Sequence, residues 1–348
     1  MSNNKWDVLT STTLNHHIPT LVDQVFRGTP LLNWLRESGC IKPFDGGIKI
    51  VEPLLIGRNN TASTYDGYDT LKVKPQEGVT AAEYAWKSWA ASMSLCQTEE
   101  LQNSGKAAMI NLVSMKLMQL QKSTMEWLNA MLILSDGESH NAVTTDRQGN
   151  PLTMSWGERK ALCGLAAMLS DAPFGGIDPS TPGCEWWQPL IMDFGGDFDD
   201  PGELTYNVLS EALGCLTFGT DRPDLILTDK DTYYQLKAAQ QGRQLFPTMT
   251  PTAVTLGFQS MSIEGVPVMY DWNVPKGTVY LLNSNYINLR VHSQHWFKQG
   301  DWEKPYNQMA RYKWISGSGE LTTNNRSMHG VICNFVVPED CFPVRICS

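Results

Sequence analysis

Two strand-like runs that flank a polar segment most constrain the fold of this chain. The runs cover residues 48–57 and 82–96, and the segment between them is rich in Gly, Thr, Asn and Asp. Alternation in the second run puts Tyr84 and Trp86 on one predicted face and Trp89 on the other. The pattern predicts a long two-stranded ribbon, and such a ribbon is only marginally stable alone in water.

The predicted ribbon carries large aromatic side chains although it has little core of its own. Aromatic side chains on a projecting arm indicate that another subunit covers them. We therefore predict inter-subunit contacts for Tyr65, Tyr68, Trp86 and Trp89. We expect the aromatic members, together with Tyr84, to be largely exposed in the isolated subunit. By strand parity, at least one of Trp86 and Trp89 should face away from its own subunit.

A long amphipathic helix is predicted directly after the ribbon, over residues 98–134. No proline interrupts this segment, its only glycine is Gly105, and Asp136-Gly137 ends it. Apolar residues recur at three- and four-residue intervals, as expected for one buried helix face. A helix of about 35 residues extends about 50 Å. Alone it is typical of an ordinary core helix, whereas its combination with the ribbon is rarer.

Further motifs follow one another along almost the whole chain. Before the ribbon and at its tip stand Gly28-Thr29-Pro30-Leu31-Leu32, Asp45-Gly46-Gly47 and Tyr65-Asp66-Gly67-Tyr68-Asp69. Later come Pro223-Asp224-Leu225-Ile226-Leu227-Thr228, Gly265-Val266-Pro267-Val268 and Val274-Pro275-Lys276-Gly277-Thr278-Val279-Tyr280. In this order they resemble the major capsid proteins of tailed bacteriophages, which have the Hong Kong 97-like fold.

The resemblance implies an α+β fold with an N-terminal arm, an extended β-hairpin loop, a long spine helix, a peripheral domain and an axial domain. We expect the arm over residues 1–45, the extended loop with peripheral strands over 46–97, and the spine helix with further peripheral structure over 98–160. The axial domain should cover residues 161–286, and residues 287–348 should return to the peripheral domain. The peripheral sheet should combine strands from 46–96 and 287–335 beneath the helix.

Local patterns predict the smaller elements. Helices are expected over residues 161–169 and 204–218. Strands are expected over residues 225–227, 260–270, 278–283 and 287–292. Thr228 and Asp231 are expected to cap the helix after residue 227, residues 138–151 to form a loop, and residues 317–325 to form a hairpin turn.

The resemblance also implies a structural protein that is not an enzyme. Its function would be that of a major capsid protein, which self-assembles as hexamers and pentamers into an icosahedral shell around double-stranded DNA. Implied partners are other copies of the chain and separate scaffolding, portal and decoration proteins, with DNA enclosed without sequence-specific binding. In the family's type member a lysine of the extended loop contacts a neighbouring subunit, and this implies an inter-subunit contact for Lys72. The implied location is the virion capsid, assembled in the host bacterial cytoplasm.

Composition gives little support to other classes of protein. The net charge is −9 over 348 residues, whereas a high-affinity nucleic-acid binder usually has a basic surplus. No apolar run approaches the roughly 18 residues of a transmembrane helix, and the N-terminus lacks a secretory signal pattern. The eight cysteines are scattered without a Cys-x-x-Cys pair, so we expect reduced thiols and no zinc site.

Several short motifs look like enzyme or metal sites but are incomplete. Asp193-Phe194-Gly195 matches a kinase triplet without the other kinase motifs. The acidic residues Asp193, Asp197, Asp199 and Asp200 do not have the spacing of a calcium loop, and we expect them to face solvent. His16-His17 and His292-x-x-His295 have no third ligand nearby in sequence. We therefore expect no catalytic residue, no cofactor and no metal.

Two alternatives stay open at this point. An encapsulin-like nanocompartment would share the fold but enclose protein cargo. From another class of protein, a cytosolic enzyme would use the acidic, glycine-rich loop at residues 193–202. Closed shells seen by electron microscopy would favour either shell protein, and a cleft with converging titratable groups would favour the enzyme.

Overall fold

The computed structural model of the chain describes residues 28–70, 78–102, 112–138, 141–145, 151–156, 160–194, 204–241 and 261–335. The chain divides into two compact units, and each unit draws on segments far apart in sequence. The first comprises residues 1–28, 90–127 and 297–316, and the second residues 29–89, 128–296 and 317–348. The chain therefore does not fold as two successive halves.

Helices and strands alternate along the described residues. The helices are α1 (Pro30–Glu37), α2 (Gln97–Gln102), α3 (Leu112–Leu134), α4 (Leu165–Met168), α5 (Tyr206–Leu216) and α6 (Lys230–Gln241). The first strands are β1 (Ile41–Phe44), β2 (Lys49–Leu55), β3 (Val79–Ala85), β4 (Lys87–Cys96), β5 (Asn141–Thr145), β6 (Pro151–Ser155), β7 (Leu190–Asp193) and β8 (Leu225–Thr228). The later ones are β9 (Met261–Ile263), β10 (Val266–Tyr270), β11 (Val279–Leu282), β12 (Ile287–His292), β13 (Lys298–Gln299), β14 (Ala310–Thr323) and β15 (Gly330–Cys333).

The first large sheet joins strands from both ends of the chain. Its order is β1-β12-β14-β13, and β4 also pairs with β14. Strand β1 runs parallel to β12, whereas β12 and β14 are antiparallel. The prediction that strands from residues 46–96 and 287–335 share a sheet is therefore confirmed.

The second large sheet has the order β7-β15-β11-β8-β10-β9. Every residue of β8 is buried, as expected for a short continuous apolar strand at the centre of a sheet. Helix α5 contributes Leu213 to the same core as Ile226 of β8 and Leu281 of β11. Ile332 also belongs to this core. The region predicted to end at residue 286 is thus completed by β15, from the C-terminal part of the chain.

Helix α1 lies in the second unit, within the segment predicted as the N-terminal arm. Leu31, Trp34 and Leu35 are buried, and Gly39 ends the helix with a φ of +69°. The amide of Leu32 donates a hydrogen bond to Oδ1 of Asn129, at 3.2 Å. This part of the predicted N-terminal arm therefore belongs to the folded body, and residues 1–27 lie outside the described part.

The predicted long helix is confirmed at both ends but not across its middle. Helix α2 begins at Gln97 and α3 ends at Leu134, close to the predicted limits of 98 and 134. Residues 103–111 lie outside the described residues, so the continuity of the helix stays a prediction.

The hairpin turn predicted at residues 317–325 is wrong, because β14 runs without a break from Ala310 to Thr323. Its glycines serve close packing. A Cβ on Gly317 would lie 2.6 Å from the ring of Trp89, and one on Gly319 would lie 2.6 Å from the backbone oxygen of Arg290. Glycine is needed here where another chain segment approaches closely, which a sequence does not distinguish from a turn.

Three smaller predictions also need correction. The expected loop at residues 138–151 contains β5, which pairs with β6 as a two-stranded sheet. The helix expected over 161–169 is only the single turn α4. Asp229 caps α6, because its Oδ2 accepts from the amides of Asp231 and Thr232 at 3.0 and 3.2 Å. Any of Ser, Thr, Asp and Asn can cap, so neighbouring candidates are hard to separate.

Candidate assembly surfaces

Strands β2 and β3 form the predicted extended ribbon within the second unit. They pair antiparallel, with Lys49 opposite Ala85 at the base and Leu55 opposite Val79 at the far end. Residues of β2 are alternately exposed and buried, so the ribbon has one inner and one outer face. The inner face includes the buried residues Glu52 and Tyr84, and the outer face is in contact with solvent.

The inner face is fixed to the body by a buried ion pair. The guanidinium of Arg290 on β12 binds the Glu52 carboxylate through two hydrogen bonds, Nε to Oε1 at 2.5 Å and Nη2 to Oε2 at 2.9 Å. The Thr322 hydroxyl donates to the same carboxylate at 3.1 Å. Two parallel bonds fix direction as well as distance, so this pair orients the ribbon on the sheet.

Tyr84 provides a second anchor on the inner face. Its hydroxyl donates to the backbone oxygen of Thr323 at 3.0 Å, and burial raises the pKa of the Tyr84 phenol. The ring edge packs against Phe174, with 5.3 Å between the ring centroids. The amide of Glu83 donates to the backbone oxygen of Gly175 at 2.9 Å. The loop at residues 174–176 therefore contacts the ribbon through both backbone and side chains.

The outer face of the ribbon is apolar and exposed. Val51, Leu55 and Val79 are 46, 83 and 75% exposed. At the base, an exposed ion pair joins Lys49 Nζ to Glu83 Oε2 at 2.6 Å. Contiguous exposed apolar side chains with a polar edge are typical of a protein–protein contact surface.

The two tyrosines predicted at the ribbon tip have the expected exposure. Tyr65 and Tyr68 are exposed, as expected for side chains that would contact another subunit. The turn between them is held by the Asp66 amide, which donates to Oδ2 of Asp69 at 3.0 Å. Lys72 lies outside the described residues. The contacts of Tyr65, Tyr68 and Lys72 with another subunit stay predictions.

Tyr84, Trp86 and Trp89 do not have the exposure that the sequence suggested. Trp89 is only 5% exposed, so the expectation of a largely exposed side chain is wrong for it, as it is for the buried Tyr84. The ring of Trp89 packs edge-on against Trp296, with 5.9 Å between ring centroids. Trp86 is half-buried, and its indole N–H donates to the backbone oxygen of Gly47 at 2.9 Å.

The reason is a break in the second run at Trp86. Strand β3 ends at Ala85 and β4 begins at Lys87, and the two strands belong to different sheets. Alternation does not continue across such a crossing, so both Tyr84 and Trp89 are buried despite their opposite parity.

The first unit carries a second exposed apolar surface. Tyr306, Met309 and Leu101 are exposed there. The amide of Gln97 donates to the backbone oxygen of Met309 at 3.0 Å, and Lys116 Nζ pairs with Glu99 Oε2 at 2.5 Å. The hydrogen bond of Lys116 is the main cause that lowers the pKa of Glu99.

The short motifs that resembled chemical sites do not converge in the described residues. His295 Nδ1 lies 2.9 Å from the Ser318 hydroxyl, whereas His292 packs beside the ring of Trp86. Asp193 is exposed and accepts from Asn334 at 2.8 Å. Asp197, Asp199, Asp200 and His16-His17 lie outside the described part. Among the residues described, no three His, Cys, Asp or Glu side chains are grouped to hold a metal ion.

A cleft of about 380 Å³ lies beside α5. Leu213, Val266 and Arg222 line it, and Arg222 donates to the backbone oxygen of Glu264 at 3.2 Å. The arrangement does not resemble a catalytic group with an activated nucleophile. None of the helices in the described ranges is both long and apolar enough to span a membrane.

Several residues that fix the ribbon were missed by sequence reasoning. Glu52 stands between Ile50 and Leu54 on the buried parity of β2, and a charged residue there signals a buried partner. Arg290 and Gly175 have no such local signal, because each acts on a segment far away in the sequence.

Comparisons with known proteins identify the fold. No protein-family model and no curated protein matches the sequence. Among solved structures, the capsid of cyanophage A-1(L) matches with a TM-score of 0.67 and 14% identity, over 92% of this chain and 96% of that chain. An encapsulin from Synechococcus elongatus matches with a TM-score of 0.60 and 13% identity, over 95 and 96% of the two chains. The capsid of Myoviridae phage XM1 matches with a TM-score of 0.52 and 10% identity, over 92 and 97%. The chain has the Hong Kong 97-like fold, as predicted.

Proposed function

We propose that this chain is the major capsid protein of a tailed bacteriophage, and that it self-assembles into an icosahedral shell around double-stranded DNA. The observation that carries the proposal is the likeness to capsid chains over more than nine-tenths of both chains. The exposed apolar face of the ribbon supports it independently, because a ribbon already fixed to its own body needs no further cover from its own chain.

The proposal includes the partners of the shell. Copies of the chain form hexamers and pentamers, and separate scaffolding, portal and decoration proteins complete the particle. The shell belongs to the virion and is assembled in the host bacterial cytoplasm. The net charge of −9 fits a container that encloses DNA without binding it tightly. The protein acts through self-association and not as an enzyme.

An encapsulin-like compartment is the second candidate, favoured by the likeness to the encapsulin chain. Electron microscopy of the purified protein and analysis of the particle contents separate the two. Closed shells of uniform size with nuclease-protected DNA support the capsid. Shells that contain one protein in fixed proportion support the compartment. A protein that stays monomeric with its partners present contradicts both.

The surface itself is tested by Leu55→Ser combined with Val79→Ser, a cross-strand pair on the outer face of the ribbon. Both side chains are exposed, so circular dichroism should be unchanged while the yield of particles falls at least about tenfold. Val143→Ser is the matched control, since it alters an exposed valine on the separate β5–β6 sheet. Normal particle yield from the ribbon variant would remove the assembly role of this face.

A further inference from the structure

We propose that Gly175 positions the extended ribbon. The space beside Gly175 receives Tyr84, and this contact sets the direction of the ribbon before any neighbouring subunit binds. The inference rests on the proposed function for its effect on assembly, but the positioning itself is a property of the isolated chain.

Gly175 contacts the inner face of the ribbon directly. A Cβ built on Gly175 would lie 2.9 Å from both Cζ and Oη of Tyr84, and 3.0 Å from Cβ of Ala82. Real Cβ atoms essentially never approach other heavy atoms within 3.0 Å, so any larger residue must displace something. Tyr84 and Ala82 are both buried, which leaves no open space into which they could move.

Tyr84 is held from its other side by β14. Its hydroxyl donates to the Thr323 oxygen at 3.0 Å and lies 3.3 Å from the Thr323 amide. The neighbouring Glu83 amide donates to the oxygen of Gly175. A side chain added at Gly175 would therefore strain hydrogen bonds at the base of the ribbon as well as the ring contact.

The loop that carries Gly175 is itself fixed by Arg326, whose side chain is fully buried. The guanidinium donates to the backbone oxygens of Met168 at 2.6 Å, Ala172 at 3.0 Å, Ala167 at 3.4 Å and Ser170. It also lies over the ring of Phe174, 5.5 Å from the centroid. Because one planar guanidinium binds several of its backbone oxygens, we expect this loop to be more rigid than the ribbon. A clash between the two should therefore move the ribbon and not the loop.

A small displacement at the base is amplified toward the tip. Tyr84 pairs with Ile50 near the base, and the far end of the ribbon is the pair Leu55 and Val79. A strand advances about 3.3 Å per residue, so these pairs are separated by roughly 17 Å. A tilt at Tyr84 therefore moves the exposed apolar face, which must match a neighbour, by several times the original shift.

Gly176 provides a matched control. Gly175 and Gly176 have φ values of +62° and +75°, so alanine at either position carries a similar backbone strain. A Cβ on Gly176 would have no neighbour closer than the Glu83 oxygen at 4.0 Å. Gly175→Ala and Gly176→Ala thus differ mainly in the contact with Tyr84.

The test measures hydrogen exchange of peptides covering residues 78–86 in the monomeric fraction of the full-length chain. Gly175→Ala should raise exchange in these peptides roughly tenfold over Gly176→Ala, and it should also lose more thermal stability because only its Cβ meets Tyr84. Tyr84→Leu empties the same contact without straining the loop, and should raise ribbon exchange even if Gly175→Ala fails to fold. Equal ribbon exchange in Gly175→Ala and Gly176→Ala, or unchanged exchange in Tyr84→Leu, would overturn the inference.

Particle yield then separates this inference from the proposed function. Shells that form with Gly176→Ala but not with Gly175→Ala support positioning by Gly175. Absence of shells from the unaltered chain would count against the proposed function alone, because exchange in the monomer decides the positioning. A different outcome is that Gly175→Ala raises hydrogen exchange in the ribbon and still forms normal shells. That result would show that assembly does not need the ribbon direction set by Gly175, and would overturn that part of the inference.

Discussion

Removal of Arg290 should destabilise the subunit more than any change to an exposed ion pair on the ribbon. In Arg290→Met, the Glu52 carboxylate loses both guanidinium bonds and keeps only the Thr322 hydroxyl, at 3.1 Å. The Glu52 side chain is 5% exposed and that of Arg290 is 19% exposed. The carboxylate is thus left without a cation in a site that water hardly reaches.

The expected magnitude follows from this burial. Breaking a buried pair by removing one partner typically costs about 3–5 kcal/mol, chiefly because a charge stays buried without compensation. Arg290 is partly exposed, so we expect a loss near the lower end, about 3 kcal/mol in the free energy of unfolding. Glu52→Leu combined with Arg290→Met removes both charges and should recover more than half of that loss.

Urea unfolding followed by tryptophan fluorescence measures the effect. Lys49→Ala is the control, because it breaks a pair on the same ribbon whose side chains are 56 and 50% exposed. Such a pair contributes at most about 1 kcal/mol. The reasoning is refuted if Arg290→Met resembles Lys49→Ala, or if the double variant is less stable than Arg290→Met alone.

Two further predictions concern buried side chains of the second unit. Trp89→Ala should lower the free energy of unfolding by about 3–5 kcal/mol, because the buried ring loses its contacts with Trp296 and Gly317. A variant with a normal urea midpoint and poor assembly would contradict this prediction. Burial lowers the pKa of His329 to about 3 from an ordinary value of 6.5, so the unfolded chain binds a proton that the folded chain does not. The free energy of unfolding is therefore unaffected by His329 above pH 6.5 and decreases as the pH falls from 6.5 toward 3. His329→Gln should make the urea midpoint depend less on pH in this range. An unchanged dependence of the midpoint on pH would contradict the prediction.

The sequence predicted the fold because its strongest signals are local and agree with one another. The buried run at β8 and the helix that ends at Leu134 follow from apolar spacing and chain-breaking residues. The polar segment between two apolar runs correctly predicted a ribbon. The order of such elements was sufficient to identify the fold, although each motif alone is common.

The parts that the sequence did not predict depend on distant contacts. Gly317 and Gly319 read as turn residues, but they are required by Trp89 and by the backbone of Arg290. The alternation through Trp86 read as one strand, although the chain crosses there from one sheet to another. In both cases the local pattern was real, but its meaning is decided by a tertiary neighbour outside the local segment, such as Trp89, which lies more than 200 residues from Gly317.

If the proposed function holds, the two faces of the ribbon suit a subunit that is stable alone and can still bind a neighbour. Burial of Val51, Leu55 and Val79 by a neighbour would gain roughly 4–9 kcal/mol, at about 1.5–3 kcal/mol for each side chain. Association costs about 4–15 kcal/mol in lost freedom, so a single ribbon contact comes close to balance. Contacts made after the first in a closed ring are effectively intramolecular and avoid most of that cost. Because the inner face is already held by Glu52 and Tyr84, little ordering of the ribbon opposes each added contact. Weak single contacts on a preset ribbon therefore favour closed assemblies over small open ones.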